Sequence, residues 1–281
     1  MYIAQIANAN GESLTLSQNE RKWQIISITG LNPPNAQVNT TNIAGMDGAQ
    51  FNSSKLDTRN IVILLKINGN IEQNRQELYR FFRTKKDVTF YFSNNRNVMI
   101  SGVIETIECN LFENGETMQI SIICPNPYFK ALYSTTVPVS NESALFTFPF
   151  SIDEPIPFSS YSAHNVTEIY AETETGIKIE VDILDSVNKI EIMNATTGDF
   201  MLLTYQFVTD DVILISTNSG EKSVILARNG ERINLFTALD INSHFLSLAT
   251  GVNRFEFAVD DGTKDDDVAI TFTYRDLYEA V

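Results

Sequence analysis

The residues able to do chemistry are few and poorly placed for it. The only histidines are His164 and His244, and neither has a second His or a Cys at ligand spacing, which argues against a zinc site. A Ser–His–Asp group assembles in space and needs no sequence signature, but no GxSxG elbow is present, and a surface or turn histidine is the simpler reading. Asp260-Asp261-Gly262 and Asp265-Asp266-Asp267 concentrate carboxylates without the spacing of a calcium loop, so they read as a solvated turn. No P-loop or GxGxxG occurs, hence no nucleotide site. No pair of acids stands out for glycoside hydrolysis. The chain reads as non-enzymatic, with no cofactor and no metal.

Cys109 and Cys124 lie on either side of Asn114-Gly115. Asn-Gly between alternating apolar runs is the strongest short-range hairpin signal, because both turn residues need φ > 0. A two-residue turn there sets Cys109 opposite Ile120 and Cys124 opposite Glu105. The two thiols then share a sheet face about 13 Å apart, too far for a disulfide, and are expected to be free. Pro125 and Pro127 follow at once in Pro125-Asn126-Pro127-Tyr128-Phe129. Neither can donate to a ladder, so the hairpin ends there, and with it a domain.

The elements before that stop alternate strand with one helix. Lys22–Thr29 reads as a strand, and Asn60–Ile67 as a strand buried on both faces. Asn70 caps a helix, with Gln73 three residues on. Ile71, Leu78, Phe81 and Phe82 fall on one helical face. Val88–Ser93 and Val98–Asn110 complete an α+β pattern. Beyond Phe129 nearly every signal is strand: Leu145–Phe150, Ile177–Leu184, Lys189–Met193, Phe200–Phe207, Val212–Ser216, Phe255–Val259 and Val268–Tyr274. A second Asn-Gly, at Asn229-Gly230, pairs Val224 with Leu235 and Leu226 with Ile233. Short strands at this spacing predict a β-sandwich or jelly roll.

Charge divides the chain in the same place. Residues 1–133 carry 12 Lys and Arg against 11 Asp and Glu, and residues 134–281 carry 8 against 24. The expected domains are therefore 1–133, near neutral, and 134–281, at −16. So acidic a second half disfavours nucleic acid and anionic membranes as partners. No apolar run approaches a membrane span, and residues 1–6 lack the basic start of a signal peptide. A soluble chain made in a cytoplasm is expected.

Two segments could carry contacts. Gly30–Ser54 is long, polar and aperiodic, with Gly45-Met46-Asp47-Gly48 in it; such a stretch is a functional arm or a disordered loop. Arg75, Arg80, Arg83, Lys85 and Lys86 crowd one side and the end of the helix. Cations there suit the negative end of the dipole and a solvated face, or they meet an acidic neighbour; both readings are open. Tyr161, Tyr170, Tyr205, Phe207 and Tyr274 are the candidates if the second half binds sugar, although aromatics in a small sandwich are more often core.

Taken in order, the segments resemble the distal tail (Dit) proteins of siphophages. The likeness rests on Ser27–Leu31, the arm with Met46-Asp47-Gly48, the apolar strand after Arg59, the helix segment Glu77–Phe82, and the closing Cys124–Phe129. In the second half it rests on Asn194–Asp199, Ser216-Thr217, Asn229-Gly230 and Leu246–Asn253. The resemblance implies a galectin-like sandwich after a ring-forming domain. It implies a homo-hexameric ring at the distal end of a phage tail, with the tail tube protein, the tail-associated hub protein and a receptor-binding protein as partners. Gly45, Met46, Asp47, Gly48, Arg80 and Arg83 are the candidate contact residues. Members that bind host saccharides usually carry inserted modules, for which this length leaves no room. The main competing reading is a carbohydrate-binding adhesin of a tail or baseplate; a glycan-cleaving enzyme comes after it.

Overall fold

The computed structural model describes residues 3–93, 96–111, 116–139, 141–143, 160–162 and 167–281. The expected strand Leu145–Phe150, His164 and the Asn114-Gly115 turn lie outside the described residues. Two compact units are present: Met1–Leu132 with Tyr278–Val281, and Tyr133–Leu277. The last four residues thus pack in the first unit, whereas the expected division at 133/134 put them in the second.

Unit 1 comprises β1 (Ile3–Asn8), β2 (Ser13–Leu16), β3 (Trp23–Thr29), β4 (Ala36–Thr41), β5 (Gln50–Leu56), β6 (Arg59–Ile67), α1 (Ile71–Phe81), β7 (Asp87–Ser93), β8 (Asn97–Cys109), β9 (Thr117–Cys124) and β10 (Phe129–Ala131). An antiparallel path runs β2-β1-β7-β8-β9-β6-β3. A bridge from Ser17 to Gln24 joins its two ends, so the sheet closes on itself. Inside lie Ile6, Leu16, Ile61, Ile63, Leu65, Leu78, Phe82, Phe90, Ile100, Ile120 and Ile122. Closure removes the exposed edges of an open sheet.

The helix forms where its signals place it. The Asn70 side chain accepts from the Gln73 amide and Leu78 is buried. Phe82 leaves the helix extended and fully buried.

Three expectations about this unit need correction. β6 is not buried on both faces: Arg59, Ile61, Ile63, Leu65 and Ile67 are buried, while Asn60 and Lys66 are exposed, because only one face of a closed sheet looks inward. In the long hairpin Cys109 faces Met118, not Ile120, and Asn110 N–H donates to Thr117 O. The register is two residues short of a two-residue Asn-Gly turn. A two-residue slip leaves every side chain on its face, which is why the apolar pattern did not expose it. Beyond a bulge between Ile104 and Thr106 the register shifts again, so Cys124 lies beside Gly102 and not opposite Glu105. Both thiols are free.

Unit 2 is all β. One antiparallel sheet orders Thr135–Pro138, Val268–Tyr274, Lys178–Ile183, Val212–Ser216, Ser223–Arg228 and Glu231–Asn234. Another orders Thr167–Ala171, Gly251–Val259, Val187–Asn194 and Asp199–Phe207. Ile179, Val181, Ile213 and Phe272 of the first share one core with Ile190, Ile192, Leu203 and Phe255 of the second, which makes a sandwich. The predicted hairpin holds: Leu226 faces Ile233, Leu235 N–H donates to Val224 O, and Asn229 and Gly230 both have positive φ. The chain is mainly β, as its strand spacing indicated.

Candidate interaction surface

The long polar segment is an ordered arm. β4 and β5 pair only with each other, from Ala36 opposite Leu56 to Thr41 opposite Gln50, with a bulge between Asn39 and Thr40. The bulge sets Phe51 and Ser54, three apart, on one side. That side carries Ala36, Val38, Thr40, Phe51, Ser54 and Leu56; Gln37, Asn39, Thr41, Gln50, Ser53 and Lys55 take the other. The hairpin is therefore amphipathic, yet Val38 is 57% exposed and Phe51 60% exposed. An isolated two-stranded hairpin is marginal in water, and an uncovered apolar stripe marks a contact surface.

Gly45, Met46, Asp47 and Gly48 make the arm's tip. Met46 N–H donates to Ile43 O, closing a turn with Gly45 at φ 85, the third-position glycine of a type II turn. Met46 and Ile43 are both exposed there.

Arg80 and Arg83 sit elsewhere, at the end of α1, where Arg83 Nε–H donates to the Arg80 carbonyl. Among the described residues neither forms an ion pair, and neither do Lys85 and Lys86, whereas Arg75 pairs with Glu72 and Glu116. Four cations without an ion pair among the described residues thus fall within seven positions, Arg80 to Lys86. Arg80 also lines a shallow cleft with Glu12, Leu14, Trp23, Glu77 and Phe81. No hydrogen bond or ion pair among the described residues joins Gly45–Gly48 to Arg80 or Arg83.

Arg59 was legible only as the residue before an apolar strand. It is 3% exposed and, among the described residues, has no carboxylate hydrogen bond. Its Nε donates to Pro127 O at 2.7 Å, Nη1 to Gly30 O at 2.5 Å and Asn32 O at 2.6 Å, and Nη2 to Glu279 O at 2.6 Å. Burial lowers its pKa, but carbonyls take four of the five N–H donors of the planar fork. Its partners come from segments far apart in the chain, so no local sequence signal marks it.

In unit 2 the sugar-binding candidates mostly belong to the core. Phe207 and Tyr274 are buried, Tyr205 packs against the core, and Tyr170 is exposed beside Val252; the Tyr161 side chain lies outside the described residues. His244 is exposed. The acidic stretch is a folded turn: Asp260 Oδ1 accepts from the amides of Asn188 and Lys189, Asp265 accepts from Val259 N–H, and Asp261 pairs with Lys189. Among the described residues no cluster of metal-ligating side chains occurs, and no helix is long and apolar enough to cross a membrane.

A closed antiparallel sheet with one helix and an arm hairpin, followed by a sandwich, is an arrangement that family models of phage tail components match in both units. Residues 9–124 match the phage tail protein RIFT-related domain, and residues 171–278 match the siphovirus-type tail component C-terminal domain. The chain belongs to the siphovirus distal tail (Dit) family. It is a structural protein of the phage distal tail. Its fold is that of phage SPP1 Dit, described as a paradigm of the hub adsorption apparatus in phages infecting Gram-positive bacteria: TM-score 0.69 at 16% identity, over 97% of this chain and 98% of that one. A chain of the phage P2 baseplate in its activated, calcium-bound conformation gives TM-score 0.51 at 12% identity over the whole of both. No curated protein sequence matches.

Proposed function

We propose that this protein is the ring of a tail hub: a homo-hexamer at the distal end of the tail, built from unit 1, joining the tail tube to the tail-associated hub protein and the receptor-binding apparatus. The observation that carries the reading is the arm, a folded amphipathic hairpin on whose apolar side Val38 and Phe51 stay more than half exposed among the described residues. A closed assembly of identical subunits uses heterologous contacts, one patch meeting a different patch on the next copy, and a projecting arm suits that. Charge supports the same division of labour. Residues 1–133, with a net of +1, can gather around an axis, whereas residues 134–281, at −16, repel their copies and stay out of the ring contacts. The acidic half is the outward, galectin-like domain, its role structural rather than catalytic.

The test is the mass of the purified chain by light scattering, alone and mixed with the tail tube protein. Six copies in either condition support the reading; a monomer in both overturns it. A glycan array with the full chain addresses the adhesin alternative.

A further inference from the structure

The arm's root is held by a distant stretch of the chain. Gly30, Leu31 and Asn32 lead into the arm, and all three of their carbonyls are taken. Arg59 donates to Gly30 O and Asn32 O, and Val281 N–H donates to Leu31 O at 3.3 Å. The same guanidinium grips Glu279 O. Arg96 stacks over the ring of Tyr278, 4.5 Å from its centroid. On the arm's far leg Asp57 N–H donates to Asn35 O, two residues before Arg59 itself. Gly30 has φ 85, and a Cβ there would meet Asn60 O at 2.1 Å, so only a glycine lets the root lie this close to the β6 backbone.

We propose that residues 278–281 are a latch on the root of the arm, with Arg59 the positioning residue that ties the two together. One planar fork serves both segments, so displacing residues 278–281 takes away one of the four carbonyls on Arg59 and the Val281 bond to Leu31. The root then loosens before the closed sheet does, because Ile61–Ile67 keep their own ladder with β9. The latch sets how firmly the arm is presented to whatever it contacts. This goes beyond the hexamer reading and does not depend on it.

Hydrogen exchange and trypsin cleavage at the exposed Lys55 report the arm directly. We compare the intact chain with Tyr278→Ala, Arg59→Lys, Arg59→Met and a chain stopped after Leu277. Loss of a hydrogen bond to a charged group changes a local opening equilibrium roughly tenfold. Amides of residues 36–56 should therefore exchange about tenfold faster in the stopped chain and in Arg59→Lys, while amides of β6 and β9 keep their rates. Arm exchange within twofold of the intact chain overturns the proposal. So does acceleration spread evenly over β6, β9 and the arm, which marks general destabilisation. If Arg59→Met fails to fold, Tyr278→Ala and the stopped chain decide. Light scattering on the same samples reads assembly separately.

Discussion

Asp211 and Arg228 meet fork to fork: Nε of the arginine lies 2.7 Å from one carboxylate oxygen and Nη2 2.5 Å from the other. Val208 N–H adds a third donor at 2.8 Å. Asp211 is 1% exposed. Burial pushes its pKa up, but the Arg228 guanidinium and the Val208 amide outweigh burial and hold it below the usual carboxylate value. Asp211→Ala leaves the arginine without its partner and should cost about 3 kcal/mol, read as a lowered urea midpoint. The folded pKa is depressed, so this stabilisation is present above the ordinary aspartate pKa and is lost as pH falls through the folded value. In Asp211→Ala the acid limb of the stability curve should flatten.

Cys124 is fully buried beside Gly102, and burial pushes its pKa up to about 11. The thiolate is the reactive form, so a thiol reagent at pH 8 should leave Cys124 unmodified until the fold opens in denaturant. The raised pKa also sets a sign. The contribution of this thiol is complete below the unfolded pKa near 9 and is lost as pH rises towards 11. Cys124→Ser should remove that alkaline slope.

Asn253 is fully buried and organises the loop before its own strand. Its Nδ2 donates to Ala249 O at 2.7 Å and Gly251 O at 3.2 Å, while Oδ1 accepts from Ala249 N–H and Asn194 Nδ2. Asn253→Ala strands several buried polar groups, each costing about 1–3 kcal/mol. We expect about 3 kcal/mol lost in chemical denaturation, with Asn253→Asp no better because a carboxylate cannot donate to the two carbonyls.

Val38 and Phe51 bear on the ring reading. Both project from the arm's exposed side, so Val38→Ser with Phe51→Ser should change monomer stability by no more than about 0.5 kcal/mol. The same pair should abolish assembly in light scattering. Full assembly by the double variant would remove the apolar stripe from the contact.

Arg80 and Arg83 make a separate prediction. Charge reversal at both, Arg80→Glu with Arg83→Glu, should leave the helix folded by circular dichroism. Any partner held by this patch should bind more weakly, and its remaining affinity should lose most of its salt dependence. Salt dependence unchanged from the parent would show that the patch is only a solvated face.

Much of the fold was open to inspection in the residues. Asn70 with Gln73, the face of Leu78 and Phe82, and the pairing of Leu226 with Ile233 follow from local rules, because caps, helical periodicity and Asn-Gly turns act over a few residues. The long hairpin shows where such rules stop. Its strands alternate as expected, but two registers two residues apart place the same side chains on the same faces. Only the ladder with the neighbouring strands selects one of them.

Composition and spacing alone determined that the chain is mainly β, that charge parts a near-neutral half from an acidic one, and that Gly30–Ser54 is either an arm or a disordered loop. These follow from backbone preferences and from counting charges, neither of which needs a contact map. Tertiary structure decided that the arm is a folded hairpin with a bare apolar stripe, and that Tyr278–Val281 return to the first unit. It also decided that Arg59 is buried among carbonyls from residues 30, 32, 127 and 279. A planar donor fork can gather partners from anywhere in the chain, and its partners here are backbone atoms, which every residue carries. No side-chain pattern announces them.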